Sequence, residues 1–186
     1  MNVYDFDKTI YDGDSTVNFY KFCIKKRPII LKYLPKQLWA FFMYFIKVYD
    51  KTTMKENFYV FLQGIDDVDA LLEEFWQKNM EKIKLWYIDA RQDDDVIISA
   101  SPEFLLEMPS KALNVKMMAS RVCKKTGKYD GQNCHGEEKV ERFFKEFPQG
   151  KIDKFYSDSY SDTPLAKISD KAYMVNGNKI FNWIYK

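Results

Sequence analysis

The sequence predicts an α/β protein in which a doubly wound parallel sheet forms the core and a helical cap is inserted after the first strand. Three observations carry this. A short apolar run at residues 3–6 leads into Asp5-Phe6-Asp7-Lys8-Thr9; helical periodicity fills the long interval between Thr9 and Val96; and from Asp95 onward strand-like runs alternate with helical ones, which is the pattern of a parallel sheet with crossover helices.

The elements follow in order. If residues 3–6 are extended, alternation points Asp5 and Asp7 the same way as the chain leaves the strand. Val17, Tyr20 and Ile24 then recur at helical spacing, and Pro28 and Pro35 cut the chain into short pieces. Leu38, Phe41, Phe42, Phe45, Ile46 and Tyr49 form a second apolar stripe. Thr53-Met54-Lys55-Glu56 has the capping-box pattern, with Gly64 as the stop of the helix it opens. Val68, Leu71, Leu72, Phe75, Trp76 and Ile83 continue the same period. Residues 15–90 are therefore expected to form the cap, and residues 1–14 with 91–186 the core.

In the second half, residues 96–99 and 115–119 read as strands separated by a helix that Pro102 opens. Residues 125–131, with Gly127 and Asp130-Gly131, suggest a projecting hairpin. Residues 136–147 read as a helix, 154–157 and 172–175 as strands, and 179–184 as a last strand or a short helix.

Composition narrows the chemistry. With 186 residues and 46% hydrophobic content, the chain is long enough for one core and an insert. A net charge of +2 gives no support to a general polyanion binder, so nucleic acid is not expected as a partner. His135 is the sole histidine, which argues against a Ser-His-Asp hydrolase and against a His-rich metal site; it could touch substrate, though a loop histidine is more often merely exposed. Cys23, Cys123 and Cys134 are odd in number and lack a C-x-x-C pair, as free thiols in a reducing compartment do. Asp5 and Asp7 interrupt any signal-peptide pattern, so a cytoplasmic location is expected.

Two carboxylates aimed at one spot repel each other, and the arrangement is tolerable when a divalent cation sits between them or when one keeps its proton. Three more fragments fit the same chemistry at element ends. Ser99-Ala100-Ser101-Pro102 ends an apolar run, Lys139 falls in the first turns of a helix, and Asp158 with Asp162 follows another apolar run in Ser157-Asp158-Ser159-Tyr160-Ser161-Asp162. In this order the four resemble the signature of the haloacid dehalogenase superfamily, in particular its phosphoserine-phosphatase-like branch. Gly131-Gln132-Asn133-Cys134-His135-Gly136-Glu137-Glu138-Lys139 also looks specific to that branch.

The resemblance implies a Rossmann-like core and a Mg²⁺-dependent phosphomonoesterase acting on a small phosphorylated metabolite. Asp5 would be the nucleophile that forms an aspartyl-phosphate, and Asp7 the acid/base whose backbone carbonyl also serves the metal. Asp158 would complete the Mg²⁺ site with Asp5, Asp162 would orient a metal-bound water or Lys139, and Lys139 would neutralise the phosphoryl oxygens. Ser99 would hold a phosphate oxygen, with Ser101 as the alternative if it is not a helix N-cap. Thr9 would support the loop after the strand and the substrate phosphate. A dehalogenase would need no second carboxylate, so Asp7 with Asp158 argues against one.

Substrate choice should rest with the cap. Asp14 lies where phosphoserine phosphatases carry an acidic group for the substrate amine, and a helix N-cap role is an equal reading. The cap holds Arg27 but no evident carboxylate clamp, which argues against phosphoserine; Lys55 is a conceivable substitute. The lysines and aromatics of residues 21–47 also suit an anionic membrane surface and a lipid phosphate such as phosphatidylglycerophosphate. The plainer reading, preferred at this point, is that the apolar stripe packs on neighbouring helices. The stripe is too short to span a bilayer, which takes about 20 residues. A non-enzyme alternative is a binding module switched by phosphorylation of Asp5. Oligomeric state is not legible.

Overall fold

Strand β1 (Asn2–Tyr4) is the middle of a six-stranded sheet with strand order β3-β2-β1-β4-β5-β6 in the computed structural model, which describes residues 1–185. Lys186, the last residue of the expected core segment, lies outside the described residues. After β1 the chain builds α1 (Ser15–Lys26), a 3₁₀ segment (Pro28–Tyr33), α2 (Leu34–Phe45), α3 (Lys51–Tyr59), a second 3₁₀ segment (Val60–Gly64), α4 (Val68–Asn79) and α5 (Leu85–Ala90). Then come β2 (Val96–Pro102), α6 (Glu103–Ala112), β3 (Lys116–Ser120), α7 (Glu137–Glu146), β4 (Ile152–Ser157), α8 (Thr163–Lys167), β5 (Ser169–Asn176) and β6 (Lys179–Asn182).

β1 pairs in parallel with both β2, through Val3 and Val96, and β4, through Val3 and Phe155. Neighbouring residues of these strands point to opposite faces and build two cores. Tyr4, Phe6, Ile97, Trp76 and Leu105 lie in one, while Val3, Ile98, Phe143, Phe155 and Leu165 lie in the other. Each such apolar side chain stabilises the fold by about 1.5–3 kcal/mol on full burial. Trp76 needs a partner for its N–H, and donates to the Leu105 carbonyl at 2.7 Å.

Several expectations are corrected. The helix expected to start at a Thr53 capping box begins earlier, at Lys51, because Asp50 accepts from Thr53 N at 2.6 Å and so caps it. Glu56 instead accepts from Tyr129 N at 2.9 Å. β2 runs on through Ser101 to Pro102, so Ser101 is not a helix N-cap. β3 starts one residue late, because Asn114 takes a left-handed φ of 49° to close α6. Residues 125–131 form a turn held by one antiparallel bridge, Val122 to Tyr129, rather than a regular hairpin. β6 resolves the open choice at 179–184 in favour of a strand, and it pairs antiparallel with β5, so the sheet is not wholly parallel.

The largest correction concerns α2. Its apolar stripe was expected to pack on neighbouring helices, and of it Phe41 meets Phe58 of α3 edge-on at 6.1 Å while most of the rest does not pack inward. The residues turned inward are Gln37 and Ala40, whereas Leu38 (59% exposed), Trp39 (57%), Phe42 (51%) and Phe45 (83%) face outward. Gln37 can be buried because both ends of its amide are satisfied: Oε1 accepts from Tyr20 Oη at 2.6 Å and Nε2 donates to the Phe58 carbonyl at 2.8 Å. No helix among the described residues is long and apolar enough to cross a membrane. Cys23, Cys123 and Cys134 are all free thiols.

Candidate active site

The carboxyl ends of β1, β2 and β4 meet at one cavity of about 330 Å³. Open α/β sheets place their sites there because loops leave the sheet at these ends and the helices that follow begin there. β1 delivers Asp5 and Asp7, β2 delivers Ser99 and Ser101, and the segment after β4 delivers Asp158 and Asp162; Lys139 reaches in from α7.

Lys139 is buried, and its Nζ donates to Asp5 Oδ1 and to Asp162 Oδ2, each at 2.7 Å. Burial works against its charge, but Asp162 and Asp5 outweigh burial and raise its pKa above the ordinary lysine value, so it stays protonated. Ser157 Oγ also donates to Asp162 Oδ2, at 2.8 Å, which fixes Asp162 as the far anchor of Lys139.

Burial pushes the Asp5 carboxyl up to about 7, with Lys139 opposing and the Asp162 and Asp7 charges adding. Asp7 is pushed up to about 6, first by burial and then by the charge of Asp14. Its two oxygens are held separately: Oδ1 accepts from Ser15 N at the start of α1 at 2.6 Å, and Oδ2 accepts from Ser101 Oγ at 2.5 Å. Ser99 Oγ accepts from Ser101 N at 3.1 Å, so the two serines of β2 are linked, with Ser101 turned to Asp7. Burial also raises the pKa of Asp158.

The helices between β1 and β2 contribute cations. Lys55 Nζ donates to the Ala100 carbonyl at 2.8 Å and to Asn133 Oδ1 at 2.9 Å; burial, then the neighbouring Lys51 charge, pull its pKa down to about 8. Lys51, one turn earlier on α3, lines the same cavity. Asp14 caps α1 by accepting from Val17 N at 2.9 Å, which is the N-cap reading, and it also lines the cavity. His135 is half-buried in the cavity wall, not merely exposed, and burial lowers its pKa.

Thr9 is placed differently. It is fully buried outside the cavity lining, and its Oγ1 has no hydrogen-bond partner. Lys51 and His135 are the residues that sequence reasoning missed or discounted. The spacing of Lys51 and Lys55, four residues apart on one helix, would have placed both on one face. His135 follows buried Asn133 and Cys134, whose burial depends on tertiary contacts with Ser120 and Lys55.

The donor set suits a hard divalent cation. Mg²⁺ is held by one or two carboxylates plus water and substrate oxygens, and Asp5 and Asp158 both line the cavity. Among the described residues no group of three or more acidic, histidine or cysteine side chains is arranged to hold a metal ion.

Fold and site place the chain among α/β proteins whose chemistry is assembled at the carboxyl edge of a parallel sheet. The profile of the haloacid dehalogenase-like hydrolase family matches residues 3–167, and the chain belongs to that family. Among curated proteins nothing matches. Among solved structures, a protein of unknown function from Bordetella pertussis Tohama I is similar, with a TM-score of 0.74, 18% identity, and coverage of 92% of this chain and 87% of that one. A phosphoserine phosphohydrolase-like protein from Francisella tularensis subsp. tularensis SCHU S4 has a TM-score of 0.62 and 16% identity, covering 92% and 86%. A substrate-bound phosphoserine phosphatase complex has a TM-score of 0.52 and 13% identity, covering 91% and 82%. These likenesses are of fold.

Proposed function

We propose that the protein is a Mg²⁺-dependent phosphatase that hydrolyses phosphomonoesters through an aspartyl-phosphate on Asp5. The contact of Asp5 with Lys139 carries this reading, because a buried carboxylate held by a fixed cation is what a carboxylate nucleophile for an anionic ester requires. Family membership and the phosphatase neighbours support it.

Lys139 holds Asp5 Oδ1, which leaves Oδ2 to attack phosphorus while the bond from phosphorus to the ester oxygen breaks. Asp7 gives its proton to that leaving oxygen and later takes one from the water that hydrolyses the acyl phosphate, releasing inorganic phosphate and restoring Asp5. Ser101 steadies Asp7 throughout, accepting from the carboxylic acid or donating to the carboxylate. Ser99 and the cations Lys51 and Lys55 hold the remaining phosphoryl oxygens and compensate their charge. Asp5, Asp158 and the Asp7 carbonyl would hold Mg²⁺, which would supply positive charge to offset that of the phosphate.

The residues that line the cavity include Lys8, Lys51, Lys55 and Lys139 but no arginine. Arg27 lies at the exposed end of α1, with Nη1 donating to the Lys26 carbonyl. This favours a substrate other than phosphoserine. The deciding experiment is turnover of an aryl phosphate with Mg²⁺ by wild type and Asp5→Asn. Wild type releases inorganic phosphate and the variant, folded by circular dichroism, does not; equal release by the two overturns the reading.

A further inference from the structure

Helix α2 is amphipathic the wrong way round for a protein interior. It buries an amide and a methyl, Gln37 and Ala40, and presents Leu38, Trp39, Phe42 and Phe45 to the outside. An outward apolar face of this size marks an interaction surface. The charge around it identifies the occupant. Residues 15–49 contain Lys21, Lys25, Lys26, Arg27, Lys32, Lys36 and Lys47 and no Asp or Glu. Of these seven cations only Lys26 is in a salt bridge among the described residues, with Glu74. A second copy docking through the same face would bring like charges together, whereas an anionic bilayer meets both demands: acyl chains for the aromatics and headgroups for the lysines. Lys36 and Lys47 lie one at each end of the apolar face, where long basic side chains reach up to headgroups.

The face is continuous with the catalytic cavity. Phe41 lines that cavity and also an apolar recess with Tyr44, Phe45 and Val48. We infer that α2 lies in the interfacial layer of an anionic membrane and that the substrate is a phosphomonoester carried by a membrane lipid. The docking stands on α2 alone; the lipid substrate rests in addition on the phosphatase reading above.

The test uses the full chain with phosphatidylcholine vesicles, alone or containing phosphatidylglycerol, and with vesicles containing phosphatidic acid as the phosphomonoester. Wild type sediments with phosphatidylglycerol vesicles and stays in the supernatant with phosphatidylcholine alone. Trp39→Ser/Phe42→Ser remains in the supernatant with both, and Lys36→Glu/Lys47→Glu lowers partition onto the anionic vesicles by more than about tenfold. The Trp39/Phe42 variant keeps wild-type turnover of a soluble aryl phosphate and loses release of phosphate from vesicle phosphatidic acid. Wild type that fails to sediment with anionic vesicles overturns the docking, as does a Trp39/Phe42 variant that sediments equally well. A stable dimer in light scattering that the serine variant dissolves also overturns it, in favour of a second copy. Sedimentation without turnover of either phosphate overturns the lipid substrate together with the phosphatase reading and leaves the docking standing.

Discussion

Lys139 Nζ lies 2.7 Å from Asp5 Oδ1 across 134 residues of sequence. The pair is buried and is completed by Asp162, so neither charge is replaceable by water. Lys139→Met leaves two carboxylates buried without their cation. The expected cost is about 3–5 kcal/mol of stability, read from urea unfolding at neutral pH. Aryl phosphate turnover by the folded fraction should fall by about 10²-fold or more, the loss typical of one preorganised electrostatic donor.

The two serines of β2 should separate by kinetic signature. Ser101 touches Asp7, so Ser101→Ala is expected to lower kcat about tenfold to a hundredfold, the worth of one hydrogen bond to a charged group. On the proposed reading Ser99→Ala should act mainly on KM, since its hydroxyl would meet the ground-state phosphate as well as the transition state. The reverse assignment of kcat and KM effects would exchange their roles.

Lys55 gives a pH dependence. Its pKa is pulled below the ordinary lysine value, to about 8, by burial and then by Lys51. The cationic form, which attracts phosphate, is present below that pH and is lost as pH rises through it. KM for an aryl phosphate should therefore rise above about pH 8 in wild type, and the alkaline rise should vanish in Lys55→Gln, whose KM is high throughout. Initial rates across that range decide it.

Metal removal is the fourth check. Chelation should abolish turnover and added Mg²⁺ restore it. Asp158→Asn should raise the Mg²⁺ needed for half-maximal rate by more than about tenfold, a loss that even the outer partners of a metal ligand produce.

Much of this was legible in the sequence because strand-end motifs are local. Asp5 and Asp7 follow an apolar run, Ser99 ends one, and Asp158 follows another, so their placement needs only the alternation of strands and helices. Lys139 was legible as a lysine in the first turn of a helix, whereas its contact with Asp162 was expected from the family resemblance and from no local pattern. The orientation of α2 was missed for a physical reason. Periodicity reports that a helix has an apolar face and says nothing of which way the face turns. What turns it is Gln37, whose two partners Tyr20 and Phe58 come from other helices. Thr9 was drawn into the site by its position in the motif, yet the chain turns back after Lys8, which has a φ of 57°, and Thr9 goes into the interior.

The central position of β1 governs how the molecule must be made. During synthesis this strand emerges well before β2 and longer still before β4, its two neighbours in the sheet. Such distant pairing slows folding, because the intervening loop must close before any bond is gained. The nascent chain therefore carries an unpaired sheet segment until β2 follows, together with the outward aromatic face of α2.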